Sequence, residues 1–140
     1  MNDGKNNTKK DPKTLDHEKV RVAGKAFWNI TKHYKLDRKE QEAILGFTSK
    51  NRNTVPNWEE KNIIPSDVDK LNRVSMLIGI HKNLRILYPY NRNIVYNWLK
   101  TKLKDFDNKT PMEYIMENPL KSYEHLFTVR RYLDIKRTMA

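Results

Sequence analysis

The chain contains no cysteine among its 140 residues. Disulfide bonds and thiolate chemistry are therefore excluded, and a reducing compartment suits the protein. Histidine is scarce as well, and the four histidines lie far apart, without the paired spacing that a zinc site needs. We expect no bound metal and no cofactor.

Glycine is rare too, and each of the four glycines stands alone. A P-loop or a GxGxxG fingerprint needs clustered glycines to let backbone N–H groups approach phosphates, so neither motif is present. The sequence also shows no grouping of acidic, basic and nucleophilic residues that is typical of a catalytic site. We therefore expect that the protein is not an enzyme, and we interpret His81, in the segment IHKNL, as a structural or surface residue.

Long apolar runs are missing. A membrane-spanning helix needs about 18–20 apolar residues, and no stretch of this chain approaches that length. The first residues, MNDGKNNTKKDPKT, lack the apolar centre of a secretory signal and read as part of a disordered arm over residues 1–18. We expect a soluble, cytoplasmic protein that does not bind membranes.

Basic residues are in excess. Lysine and arginine outnumber aspartate and glutamate by 28 to 17, which gives a net charge of +11. Residues 1–18 are neutral, residues 19–65 carry ten basic and five acidic groups, and residues 66–140 carry fourteen and eight. The excess lies in the part expected to fold, which favours a polyanion or an acidic protein surface as a partner. A solvated basic surface is the alternative interpretation.

The apolar residues recur with helical spacing. Few segments sustain the alternation typical of a strand, so the sequence predicts an all-α fold. The first helix should bury one face that comprises Val20, Ala23, Phe27, Ile30 and Tyr34. The last should bury Leu126, Val129 and Leu133. Between them, a helix is predicted to bury Val68, Leu71, Val74 and Ile78, with Leu77 beside them, and to continue or kink at Gly79.

Capping residues predict where several helices begin and end. Asp37 with Glu40 forms a capping box, and that helix should stop at Gly46. Asn53 is predicted to cap a helix of residues 54–61, because Pro56 is tolerated in a first turn. Further helix starts are predicted at Ser66 with Asp69, at Asn91 and at Thr110-Pro111.

Two of these helices have the order of a helix-turn-helix. A helix ends at Gly46, a basic turn follows, and a second helix is anchored by Trp58. In such a unit the N-terminal residues of the second helix lie at the base edges in the major groove. Lysine and arginine neutralise phosphates there, and asparagine can pair with adenine. The candidate DNA-binding residues are Lys50, Arg52, Asn53, Thr54 and Asn57.

Four segments of the second half occur in a distinctive order. They are LIGIHKNLRILY at 77–88, NWL at 97–99, TPMEYIM at 110–116 and VRRYLD at 129–134. This order resembles the toxin-binding domain of the Xre/MbcA/ParS-type antitoxins, which is normally fused to a helix-turn-helix. The family has an FGG turn where this chain has FDNK at 106–109, and Asn108 can supply the left-handed conformation that such a turn needs.

The resemblance implies an Xre-like helix-turn-helix bundle at 19–65 followed by a small helical domain for dimerisation and toxin binding at 66–140. It implies an antitoxin of a type II toxin–antitoxin system. The partners would be an NAD-consuming or ADP-ribosylating toxin of the RES type, operator DNA and a second copy of the chain. The candidate toxin-binding residues are Trp98, Arg130, Arg131, Tyr132, Lys136 and Arg137.

Two alternatives remain open. In the family the anchoring aromatic comes nine residues after the glycine, but here Gly46 and Trp58 are twelve apart. With Pro56 and the acidic pair Glu59-Glu60, this difference also allows a helix-turn-helix-shaped bundle that does not bind DNA. The other alternative is a helix-turn-helix transcriptional regulator without a toxin partner, in which residues 66–140 only dimerise.

Overall fold

The computed structural model describes residues 15–47 and 52–140, and over these residues the fold is all-α, as predicted. Their α-helices are α1 (His17–His33), α2 (Arg38–Leu45), α3 (Thr54–Lys61), α4 (Val68–Leu87), α5 (Arg92–Asn97), α6 (Pro111–Met116) and α7 (Ser122–Met139). Short 3-10 helices lie between α5 and α6, at Trp98–Lys100 and Lys104–Phe106, and between α6 and α7, at Pro119–Lys121. The predicted arm lies largely outside the described residues, and α1 begins within its predicted end.

The first two helices follow their local signals. All five residues predicted for the inner face of α1 are buried. The capping box of α2 is present: the Asp37 carboxylate accepts from the Glu40 N–H, and the Glu40 carboxylate accepts from the Asp37 N–H. Gly46 ends α2 with φ +66°, in the left-handed region that favours glycine.

Helices α3 and α4 differ from expectation in detail. α3 has the predicted bounds, but the Asn53 side chain makes no capping hydrogen bond. The cap of α4 is Asp67 and not Ser66, because the Asp67 carboxylate accepts from two backbone N–H groups of the first turn. α4 runs for 20 residues and does not break at Gly79.

The inner face of α4 was only partly predicted. Val74 and Leu77 are fully buried, whereas Val68 is 52% exposed. The buried face continues instead through Ile80, Asn83 and Leu84. α4 packs against α1, α2, α5 and α7, so several neighbours, and not one apolar stripe, determine which of its residues are covered.

The helix caps predicted for α5 and α6 are present in the structure. The Asn91 side chain caps α5, and Thr110 with Glu113 forms a capping box at α6 with a proline at its first position. The turn between them places Asp107 and Asn108 at φ +56° and +62°. The three residues predicted for the inner face of α7 are fully buried.

One hydrophobic core crosses the predicted boundary between residues 65 and 66, and it extends from Val20 to Leu133. The Trp28 indole donates to the Ile63 carbonyl at 2.7 Å. A Cβ atom on Gly24 would lie 3.1 Å from the Ile63 Cα, so α1 and the segment before α4 are in close contact. The two predicted regions therefore share their packing.

This shared core weakens one sequence argument for a dimer. Eight apolar residues lie close together in the sequence of α4, and they predict that some of them are buried against a second copy: Val74, Met76, Leu77, Ile78, Ile80, Leu84, Ile86 and Leu87. Val74, Leu77, Ile80 and Leu84 are fully buried within the chain, and Ile86 is the one large apolar residue of that group that is exposed. A second copy is therefore not needed to cover α4.

Lys35 gives a direct test of the end of α1. It adopts φ +54°, and the Leu36 N–H donates to the Thr31 carbonyl across it. Because this conformation is strained for a residue with a Cβ, Lys35→Gly should raise the free energy of unfolding by about 1 kcal/mol in urea denaturation. The same change at the exposed mid-helix residue Lys25 should lower it by about 1 kcal/mol. Equal signs for the two variants would contradict the described helix end.

Candidate partner-binding site

Helices α4 and α7 lie side by side and in parallel, and they meet at three levels, two of which are polar contacts. The Arg73 guanidinium donates to the Ser122 hydroxyl at 2.9 Å, and the Asn83 amide donates to the Asp134 carboxylate at 2.7 Å. Asn83 and Ser122 are both buried, and these hydrogen bonds give each of them the partner that a buried polar group needs.

Gly79 lies at the middle level, beneath Arg130. A Cβ atom on Gly79 would lie 2.5 Å from the Arg130 Nε and Cζ atoms, which is closer than real Cβ atoms approach other atoms. The absence of a side chain therefore lets the guanidinium lie against the backbone of α4. Arg130 is also 3.9 Å from Asp134. The sequence pointed to a possible kink at this glycine, but its role is a close approach.

Five aromatic side chains contact one another in a continuous row beside α7. Tyr132 stacks on Trp98 with ring centroids 6.1 Å apart and meets Phe106 edge-on at 5.1 Å. Phe106 in turn meets Tyr114 at 5.4 Å, and Tyr114 stacks on His125 at 4.0 Å. Offset and edge-to-face arrangements at these distances are favourable beyond simple burial. These ring contacts join α7 to α6 and to the loop around Phe106.

The polar end of Tyr132 is also engaged. Its hydroxyl donates to the Asp105 carboxylate at 2.8 Å, and the Lys136 ammonium lies 5.3 Å from the ring centroid. Partial burial, with the hydrogen bond to Asp105, raises the pKa of the Tyr132 hydroxyl. Tyr132 therefore contacts Trp98, Phe106, Asp105 and Lys136. The residue is half-buried.

The predicted toxin-binding residues separate into three groups by their burial. Trp98 is 6% exposed and belongs to the core, where Tyr132 stacks on it, so little of its surface is accessible to a partner. Arg130 and Tyr132 are half-buried. The exposed members are Arg131, Lys136 and Arg137.

The outer side of α7 also carries apolar residues that were not predicted as site residues. Phe127, Ile135 and Met139 are 46%, 49% and 80% exposed. With Arg131 they recur every four residues, which places them on one side of the helix. We call Phe127, Arg131, Ile135 and Met139 the α7 outer stripe. The spacing of four residues is visible in the sequence, but spacing alone does not distinguish an exposed stripe from a buried one.

The predicted DNA-binding residues lie around the start of α3. Lys50 falls outside the described residues. Arg52, Asn53 and Asn57 are exposed, and Thr54 is half-buried. The three exposed side chains could reach a groove, yet residues 37–62 hold five basic and five acidic residues and are neutral overall.

Some of the charged residues in 37–62 pair with one another, between α2 and α3. Arg38 pairs with Glu59 at 3.0 Å. Phe47 and Trp58 pack with ring centroids 5.3 Å apart, so Trp58 anchors α3 as the sequence predicted. Residues 37–62, which include the predicted helix-turn-helix, therefore lack the positive excess that phosphate binding favours.

Another polar aromatic cluster joins α1, α4 and α5. The Tyr34 hydroxyl and the His81 Nδ1 atom share a hydrogen bond of 2.8 Å. His33 stacks on Tyr96 with ring centroids 5.0 Å apart. Burial, together with the nearby Arg85 and His33, lowers the pKa of His81, and burial raises the pKa of Tyr34. The lowered pKa favours the neutral imidazole.

Over residues 15–47 and 52–140, no group of three or more histidine, aspartate and glutamate side chains is arranged to hold a metal ion. No helix in this part of the chain is both long enough and apolar enough to cross a membrane. A scan against protein-family models, a search of curated proteins and a search of solved structures each find no match to this chain.

Proposed function

We propose that this chain is the antitoxin of a type II toxin–antitoxin system, with an Xre-like helix-turn-helix in residues 19–65. Its target would be an NAD-consuming or ADP-ribosylating toxin of the RES type. One observation carries the proposal: the four segments that resemble the antitoxin family meet in one packed unit of α4–α7. Gly79, Trp98, Arg130 and Tyr132 match the family pattern, and they make contacts between three of those segments.

Two of these contacts are made by residues that match the family pattern. Gly79, in the segment LIGIHKN, contacts Arg130 in the segment VRRYLD. Tyr132 of the same segment stacks on Trp98 of NWL. A chance likeness in four separate stretches would have no reason to place the shared residues against one another. The packing therefore supports the resemblance independently of the order of the segments.

The α7 outer stripe is the surface that we propose contacts the toxin. It combines large apolar side chains with Arg131, and Lys136 and Arg137 lie on the same helix. Interfaces gain most of their affinity from a few aromatic and arginine side chains that become desolvated. The cations suit the polar and acidic groups expected around the nucleotide cleft of such a toxin.

The proposal is tested with the full-length chain, because α1 and α4 share one core and residues 66–140 alone would expose it. We expect an open reading frame adjacent to the one for this chain to encode a RES-type protein, and we expect the purified chain to form a stable complex with that protein. We also expect it to stop that protein from consuming NAD. Normal NAD consumption at a saturating excess of folded antitoxin would overturn the proposal.

A transcriptional regulator without a toxin partner is the second candidate. The order of α2, Gly46 and α3 and the exposed Arg52, Asn53 and Asn57 favour it. The neutral charge of residues 37–62 counts against tight DNA binding by this segment alone. Autoregulation of the operon by the antitoxin would need additional phosphate contacts from elsewhere in the chain.

A further inference from the structure

The positive charge of the chain is concentrated in two segments. Residues 19–36 contain five basic residues and residues 70–104 contain eight, and neither segment contains an aspartate or a glutamate. The remainder of the chain holds 15 basic and 17 acidic residues and is slightly negative. The whole net charge of +11 therefore comes from these two segments.

The two segments pack against each other. The first contains most of α1 and the second contains most of α4 and all of α5, and α1 lies along α4. The hydrogen bond between Tyr34 and His81 joins them, and Tyr34 also packs on Tyr96 of α5 with ring centroids 6.2 Å apart. Folding thus gathers the cations of two distant segments onto neighbouring helices.

Part of this charge is neutralised by flanking acids. Glu18 pairs with Arg21, Asp69 pairs with Lys70 and Arg73, and Glu40 pairs with Lys100 at 3.1 Å. Other exposed cations form no ion pair within residues 15–47 and 52–140, among them Lys32, Lys35, Arg85 and Arg92. These four lie towards the C-terminal ends of α1 and α4 or at the start of α5.

Cations and rings adjoin one another at this end of the molecule. The imidazole of His33 is exposed and lies nearly flat on Tyr96, at 16° between the ring planes. Arg85 is close enough to act electrostatically on both Tyr34 and His81. The Lys100 ammonium donates to the Lys35 carbonyl at 2.8 Å, which brings these two lysines together. We define the basic-aromatic surface as His33, Lys35, His81, Arg85, Tyr96 and Lys100.

We propose that the basic-aromatic surface binds nucleic acid, through its phosphodiester backbone and through stacking of a base on the His33–Tyr96 pair. Cations that neutralise phosphates release counterions, and exposed rings offer a stacking platform of about 1–3 kcal/mol per base. Protein interfaces have a desolvated apolar centre, whereas this surface consists of cations and rings. The proposal does not depend on the antitoxin function.

The test compares two double variants that each remove two exposed cations. Lys35→Asn with Arg85→Ala changes the surface, and asparagine suits the left-handed conformation of residue 35. Lys39→Ala with Lys121→Ala removes the same charge from α2 and from the turn before α7. Binding to short labelled single-stranded and duplex DNA is measured by fluorescence anisotropy over a range of salt concentrations. Circular dichroism melts check that both variants fold.

We expect the surface variant to bind about tenfold more weakly, with a salt slope shallower by roughly 0.7–0.9 for each phosphate that the variant no longer neutralises. The control variant should bind within about twofold of the unchanged protein, since it loses only long-range attraction. Tyr96→Leu should weaken binding to the single strand more than to the duplex if a base stacks on the ring pair, and this arm separates the two forms of DNA.

Three results would overturn the proposal. Equal losses of affinity in the two double variants would show that net charge alone attracts DNA. A larger loss from Arg52→Ala than from the surface variant would place the DNA at the start of α3. Displacement of DNA by polyglutamate as readily as by unlabelled DNA would indicate an acidic protein as the partner.

Discussion

Tyr132→Ala should lower the free energy of unfolding by about 3 kcal/mol, because it removes a large, partly buried ring that packs on both Trp98 and Phe106. The substitution also deletes the hydrogen bond to Asp105 and the interaction with Lys136. Urea denaturation followed by circular dichroism measures the difference. Tyr132→Phe keeps the ring packing and should cost about 1 kcal/mol or less, since only the hydrogen bond is removed.

The ratio of these two losses in stability decides what Tyr132 does. A large loss for alanine and a small one for phenylalanine would show that the ring holds α7 against the loop around Phe106. In that case weaker partner binding by Tyr132→Ala would not show that Tyr132 touches the partner. Similar, small losses for both variants would contradict the described packing, and they would leave the ring available to a partner as the sequence suggested.

Local signals in the sequence were sufficient wherever one or two residues determine the conformation. The Asp37 and Thr110 capping boxes, the left-handed Gly46 and the tolerance of Pro56 in the first turn of α3 all follow from groups within four residues. The error at Ser66 is of the same kind. Asp67 offers a carboxylate one position later, and it accepts two backbone N–H groups.

Features that depend on distant residues were not predictable in this way. The inner face of α4 was misjudged because four helices surround it. Asparagine is mostly exposed in proteins, yet Asn83 is 2% exposed, and Asp134, 51 residues later, accepts its hydrogen bond. At Gly79 the sequence left a continuous helix and a kink both open, because it gives no sign that Arg130 will lie on this residue.

Charge shows a similar limit. Division of the chain at residue 65 spread its excess charge almost evenly between two expected domains. The acid-free stretches, residues 19–36 and 70–104, lie on either side of that division, and their significance depends on the packing of α1 against α4. The electrostatic surface is thus a property of the tertiary fold, although every charge in it is visible in the sequence.

Removal of residues 135–140 should abolish most of the inhibition of the proposed toxin and leave the fold intact. Leu133 is the last buried residue of α7, whereas Ile135 and Met139 are 49% and 80% exposed. The loss of Lys136 from the Tyr132 ring should cost about 0.5–1 kcal/mol of stability. NAD consumption by the toxin at increasing antitoxin concentration measures the effect, and thermal melts of the truncated protein provide the folding control.

The single change Arg131→Glu tests the same surface without shortening the chain. If Arg131 is desolvated in the complex, the reversal should weaken binding by a few kcal/mol, and if it stays at an exposed rim the loss of affinity should be slight. Lys121→Glu, at an exposed position just before α7, is the matched charge reversal and should have little effect. Full inhibition by both the truncated protein and Arg131→Glu would exclude the α7 outer stripe as the toxin-binding surface, because its two apolar residues beyond Arg131 and its only charge would then all be dispensable. Inhibition would in that case have to come from another face of the helical body.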